Sequence, residues 1–261
     1  MKLALQLFRM QEWFGGDIWG TIEQVKRAEE IGVHQVEAAD HLLRVTERIR
    51  LSSSIVVSPI RPVPLFAKEL ATLDQISRGR VDIGVGVGWQ REECEVSQIP
   101  WEKRLSRKTD QIRACKALWT QSPATHHGEF YSFDNIYSMP FPVQKCGIPV
   151  WFGFALRGAN LDRIAELGDG WLPAENRPEV LAGEIAQIKA AMVEKGRDPS
   201  NFQIRTALTP PFEGATIHDA LKRIPEYEEA GVTVLSIQVR NFCKGGDEID
   251  DLLRTAVEAA G

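Results

Sequence analysis

The sequence predicts an α/β protein folded as a single (β/α)8 TIM barrel, on three observations. Short apolar runs rich in β-branched residues alternate with stretches whose apolar residues recur at helical spacing. Eight such alternations can be followed along the chain, and its 261 residues match the roughly 250 of one such barrel. No linker or internal repeat interrupts the pattern, so residues 1–261 read as one domain.

Each element has a local cause. Leu3, Leu5 and Leu7 alternate with Ala4 and Gln6 as a first strand. Gly15-Gly16-Asp17 then turns the chain into a helix from Trp19 to Ile31, which Gly32 stops. His34 to Ala39 is a second strand ending at Asp40-His41, and the β-branched run Ile49 to Val57 a third. Phe66, Leu70, Leu73 and Ile76 share a helical face within Pro64 to Ser77, and Arg78-Gly79-Arg80 leads into strand four, Val81 to Val87. Arg107 to Trp119 reads as a helix, and the aromatic, proline-rich segment His126 to Gln144 as a long loop or hairpin insertion. Strands at 149–152, 170–173, 202–208 and 233–239 then alternate with helices at 160–167, 178–195, 216–230 and 247–259.

Composition limits the function classes. Lysine and arginine number 31 against 36 aspartates and glutamates, a net charge of −5 without a basic block, which argues against a nucleic-acid partner. Cys94, Cys115, Cys146 and Cys243 form neither a CxxC pair nor a dense framework, so reduced thiols in a cytoplasm are expected. Neither a cleavable leader nor an apolar run of membrane-spanning length is read, so no membrane partner is expected. His126-His127 lacks a further ligand at metal spacing, and no metal is expected.

In a barrel of this class chemistry gathers where the strands end at their carboxyl side. Those positions are Phe8-Arg9, Asp40-His41, Ser58 to Arg61, Gly86-Val87-Gly88-Trp89, Gly153-Phe154-Ala155, Ala174-Glu175-Asn176, Thr209-Pro210 and Arg240-Asn241. The ring is aromatic, cationic and glycine-rich. It points to a small-molecule substrate, with Phe8, Trp13, Trp89 and Arg61 as candidate pocket residues and Glu175 as a candidate for proton delivery.

The stretches Thr46 to Leu51, Ala67 to Arg80 and Gly84 to Trp89 with Glu92-Glu93 resemble the luciferase-like monooxygenase family. The likeness continues through Leu118-Trp119, Phe141 to Gln144, Pro149 to Gly153 and Leu167 to Trp171, in the family's order over nearly the whole chain. Gly84 to Trp89 and the tryptophan-rich strands are most similar to the branch that uses the deazaflavin coenzyme F420, and the FMN branch shares the barrel.

The resemblance implies an F420-dependent oxidoreductase moving hydride to or from a small organic substrate, with an FMNH2-dependent two-component monooxygenase, served by a separate reductase, as the alternative. A non-catalytic flavin-binding protein is the alternative of another class. His41 beside Asp40 is implied to hydrogen-bond the ring and to be catalytic. A non-prolyl cis peptide behind the ring aligns with Ser54-Ile55, the backbone of Gly86-Val87-Gly88 lines the coenzyme, and Gly153, Phe154 and Ala155 open the phosphate loop. A homodimer is also implied. The chain departs from the family's pattern in three places. Only Leu42 to Arg48 separates His41 from strand three, where a loop and long helix are usual. Trp89 stands where sugar-phosphate oxidisers carry a carboxylate, which disfavours simple alcohol dehydrogenation, and Phe154 replaces a glycine of the phosphate loop.

Overall fold

A computed structural model describes residues 1–7, 10–14, 18–37 and 46–261, with backbone alone for residues 10, 11 and 18. In chain order its strands are β1 (Lys2–Gln6), β2 (Gln35–Glu37), β3 (Arg50–Ser52), β4 (Val56–Val57), β5 (Val81–Gly86), β6 (Ala124–His127), β7 (Ser132–Ile136), β8 (Val150–Gly153), β9 (Gly170–Leu172), β10 (Gln203–Leu208) and β11 (Val234–Gln238). The helices are α1 (Ile18–Ile31), α2 (Val63–Ser77), α3 (Arg91–Val96), α4 (Arg104–Thr120), α5 (Asn160–Leu167), α6 (Pro178–Glu194), α7 (Ile217–Leu221), α8 (Ile224–Glu229) and α9 (Ile249–Ala260). They group into two compact units, residues 1–52 with 154–261, and residues 53–153.

In the first unit the strands lie in the order β3-β2-β1-β11-β10-β9, and each neighbouring pair is parallel. Leu3, Ala4 and Leu5 of β1, all of β2 and Val234 to Ile237 of β11 are buried. Strands buried on both faces are the rule for parallel sheets, and they explain why β1 and β11 read as largely apolar runs, whereas β2 buries the polar Gln35 and Glu37. The predicted helix 216–230 is two helices. Pro225 stands in the first turn of α8, where its missing N–H costs nothing, but its ring excludes a continuous helix through the carbonyl of Leu221. At the start of α7 the Thr216 hydroxyl accepts from the Asp219 N–H while the Asp219 carboxylate accepts from the Thr216 N–H.

β2 and β3 pair directly, Gln35 against Arg50 through Glu37 against Ser52. Of the short link between them, residues 46–49 are described and hold no helix. One side chain of α1 organises their backbone. The Glu29 carboxylate accepts from the N–H groups of Glu47, Arg48 and Ile49 at 2.6–3.1 Å. A helix with its own internal bonds would need no such acceptor; a bare link does.

The second unit contains the parallel trio β4-β5-β8, the antiparallel hairpin β6-β7, and α2, α3 and α4. The predicted insertion is this hairpin. Asp110, buried on α4, anchors its turn by accepting from the N–H groups of Phe130 and Tyr131 and pairing with His126 Nε2 at 2.8 Å. Asp74, also buried, holds Gln144 by backbone and side chain, and Trp119 donates to the Ala67 carbonyl across α2 and α4. α3 was not foreseen, since its sequence Arg-Glu-Glu-Cys-Glu-Val buries only Cys94 and offers no apolar periodicity. No helix among the described residues is long and apolar enough to cross a membrane.

Burial works to raise the pKa of Glu29, but the N–H groups of Ile49, Arg48 and Glu47, with the Arg48 charge, take it below its ordinary 4.5. Glu29→Gln is expected to cost about 1–3 kcal/mol at neutral pH. Because the folded pKa lies below the unfolded one, the carboxylate's contribution is complete above about pH 4.5 and disappears as pH falls through the folded value. The gap in melting temperature between wild type and variant therefore narrows as pH falls below about 4.5; a constant gap would refute this role.

Candidate functional site

At the carboxyl ends of β4, β5 and β8, the second unit builds a single side-chain platform. The third predicted strand breaks between Ser52 and Val56, and a break in buried strand leaves the neighbouring backbone unpaired. Ser53 repairs it. Its hydroxyl donates to the Gly84 carbonyl at 2.9 Å and accepts from the Gly84 N–H at 3.0 Å. The Ser54–Ile55 peptide that follows is cis, at the position the resemblance implies.

The Ile55 side chain then lies across two glycines. A Cβ added to Gly86 would meet Ile55 Cδ1 at 2.3 Å, and one added to Gly153 would meet Cγ2 at 2.5 Å. Both lie far inside van der Waals contact, so the isoleucine fits only because both positions lack side chains. Yet Ile55 is itself 36% exposed. It is an apolar surface fixed from beneath and open above.

The rest of this end follows from Gly88, whose φ of +74° is the left-handed conformation that a side chain disfavours. It turns the chain from half-buried Val87 to Trp89, which is 87% exposed. A Cβ at Gly88 would lie 3.1 Å from Val57 and 3.4 Å from Glu93 Oε2. A carboxylate, that of Glu93 on α3, thus lies near the same strand end as Trp89. Its signal was the Glu92-Glu93 pair, without a predicted helix to aim it. Arg61 has its carbonyl pinned by Gln111 Nε2 at 2.9 Å, while its exposed guanidinium is 4.0 Å from Glu69.

In the first unit the loop opening at Phe154 is held at two carbonyls. Trp171 Nε1 donates to Phe154 O at 2.9 Å, and Asn160 Nδ2 and Arg157 N donate to Ala155 O at 3.0 Å. Trp171 and Asn160 were not singled out from sequence, because their role lies in a backbone contact. Trp13 packs under the Arg240 guanidinium, 5.1 Å from the ring centre, and Arg240 also bonds Glu12 at 2.8 Å. Phe8, Asp40 and His41 lie outside the described residues.

Glu175 is held by its own neighbours. Its carboxylate accepts from the Arg177 side chain at 2.7 and 3.0 Å and from the N–H groups of Asn176 and Arg177. The Arg177 side-chain bond, followed by the two backbone bonds, lowers its pKa from 4.5 to about 2. It anchors the chain ahead of α6, with the Thr206 hydroxyl holding its carbonyl at 3.0 Å.

A polar cluster lies deeper in the first unit. Glu37 of β2 accepts from Ser236 Oγ and lies 3.5 Å from Arg205 Nε, and Arg205 Nη1 donates to Gln35 Oε1 at 2.7 Å. No local pattern marks it, because its members are far apart in the chain.

Residues 15–231 match the family described as luciferase-like monooxygenase. An FMNH2-dependent dimethylsulfone monooxygenase of Pseudomonas putida is 31% identical over 167 residues, 62% of this chain and 46% of that protein. The chain spans about half the length of the curated relatives it matches. Among solved structures, a monooxygenase from Streptomyces bottropensis superposes with a TM-score of 0.84 at 19% identity, covering 99% of this chain and 98% of that one. An F420-dependent secondary alcohol dehydrogenase follows at 0.80 and 18%, covering 100% and 99%. At such identities the likeness concerns the fold, which is the (β/α)8 barrel.

Two outcomes are expected. Gly86→Ala should destabilise by about 1–3 kcal/mol through overpacking, and Ile55→Ala in the same chain should recover most of that loss; independent, additive effects in thermal unfolding would exclude the contact. Carboxyl-carbon NMR titration should place Glu175 at about 2, and Arg177→Ala should return it toward 4.5. An unshifted wild-type value would refute the Arg177 bond as a hold on this carboxylate.

Proposed function

Because this chain belongs to the luciferase-like monooxygenase family, we propose that it is an oxidoreductase acting on a small organic substrate with the deazaflavin coenzyme F420. The observation that carries this reading is Ile55, fixed on Gly86 and Gly153 and exposed above. A flat tricyclic ring needs a rigid apolar seat, and an isoleucine unable to sink between two glycines supplies one. When bound, the coenzyme supplies hydride transfer.

The chain's own task is to bind, orient and handle protons. We assign the ring seat to Ser54 and Ile55, the lining backbone to Gly86, Val87 and Gly88, and the ring hydrogen bond to His41 beside Asp40. Gly153, Phe154 and Ala155 open the loop assigned to the phosphate, where the bonds from Trp171 and Asn160 hold the two carbonyls in place. Trp13, Trp89, Phe8 and Arg61 are assigned to the substrate. Glu175 is assigned to proton transfer, and Glu93, near the end of β5, is a second carboxylate available for it.

A second reading has its own support. The FMNH2-dependent relative at 31% identity favours a two-component monooxygenase supplied by a separate reductase. Replacing a flavin ring nitrogen by carbon suppresses the reaction with oxygen, so the coenzyme decides the reaction. Fluorescence titration of the protein with F420 and with FMN, each oxidised and reduced, separates the two. Tight binding of F420 alone is the expected result; preference for reduced FMN transfers the assignment to the monooxygenase, and binding of neither ends both. His41→Ala should weaken the preferred coenzyme about tenfold or more, as expected for a lost hydrogen bond in a dry site. Unchanged affinity would remove His41 from the ring.

A further inference from the structure

The buried cluster around Glu37 has a feature that packing does not explain. Strand parity turns Gln35 and Glu37 of β2 to one face, and the register sets Gln6 opposite both Glu37 and Gln238. The last residues of β1, β2 and β11 are therefore Gln6, Glu37 and Gln238, side by side at the carboxyl ends. Ser236 and Gln35, one step further in, are buried, whereas Gln6 and Gln238 are half-buried, so the cluster opens toward that end.

The two oxygens of Glu37 are treated unequally. Oε1 receives the Ser236 hydroxyl and faces Arg205, while Oε2 receives a single contact among the described residues, from Gln6 Nε2 at 3.4 Å. The side chains of Arg205 and Glu37 are only 2% and 4% exposed. A carboxylate has about four acceptor sites, and one left unmet away from water is costly. A buried ion pair is also a poor way to stabilise a core, since apolar residues of similar volume commonly do as well or better. This pair stands at the strand ends where barrels of this class do their chemistry.

We propose that Glu37 Oε2, flanked by Gln6 and Gln238, receives a hydrogen-bond donor of the substrate, so that the preferred substrates are neutral organic molecules bearing a hydroxyl or N–H group. This rests on the oxidoreductase reading above and adds its substrate class. Arg205 balances the charge of Glu37, so the site has no net attraction for a cation, and the oxygen it presents rejects anions. Gln238 has its Oε1 engaged by Asn241 Nδ2 at 3.5 Å, which leaves its amide N–H groups to donate to the oxygen of the same substrate hydroxyl. The hydroxyl serves as a recognition group here; the carbon that exchanges hydride is a separate matter.

The test uses benzyl alcohol, cyclohexanol and 2-butanol, each against its methyl ether, titrated calorimetrically into the protein with and without saturating F420. Wild type should bind at least one alcohol about tenfold or more tightly than its ether, the discrimination expected where a site built for a donor meets an analogue lacking it. The double variant Glu37→Leu with Arg205→Leu removes both members of the pair together and should bind alcohol and ether alike while F420 affinity stays near wild type; its melting temperature should fall, because Ser236 and Gln35 lose hydrogen-bond partners. A wild type that binds both members of every pair alike, or neither, overturns the proposal, as does a variant that keeps the preference. Failure of F420 to bind wild type removes the coenzyme assignment, and the alcohol-to-ether ratio in coenzyme-free protein still decides the role of Glu37. Gln6→Leu, which leaves the ion pair intact, should reduce the preference partially; no change would remove Gln6 from the site.

Discussion

Much of the candidate site depends on one hydroxyl satisfying both backbone groups of one glycine. Parallel strands buried on both faces leave no water to pair a stranded N–H or C=O, so a strand among them can break only where another group substitutes. Ser53 does this for Gly84, and the chain can then depart from regular geometry through Ser54 and Ile55 before β4 resumes. The departure brings Ile55 across Gly86 and Gly153. Serine, isoleucine and the two glycines form one device. Each is explained by the position of the others.

The same principle appears at four other irregular places among the described residues, with carboxylates in place of the hydroxyl. Glu29 gathers the N–H groups of residues 47–49, Asp110 those at the turn of β6-β7, Asp74 that of Gln144, and Glu175 those ahead of α6. An ionised oxygen pair is a strong acceptor for backbone donors, and one acidic side chain can order several residues that have no ladder or helix of their own. Acidic residues at such places are engaged in holding backbone. Glu175 illustrates this, with its carboxylate held by the Arg177 side chain and two backbone N–H groups. Glu37 differs: it meets side chains from other strands and keeps one oxygen nearly unengaged.

Legibility in the sequence followed the range of the interactions involved. Strands and helices with a clear apolar period were found to within a few residues, because period and burial are local consequences of the same pattern. The helix predicted over 216–230 missed the effect of Pro225, and α3 carried too little apolar signal to be seen. The glycines at 86, 88 and 153 were visible, and so was the family position of Ser54-Ile55. What could not be read was that one isoleucine occupies the space of two glycines, or that Glu93 lies near Gly88.

By itself the sequence determined the class of fold, the order of its elements and the family, because these rest on patterns repeated along the chain and sampled many times over. The tertiary structure decided what individual polar groups do. Whether Ser53 is a surface hydroxyl or a backbone substitute, and whether Glu37 meets Arg205, depend on partners remote in sequence. A hydrogen bond is made or lost over less than an ångström, and no local pattern encodes distance at that scale.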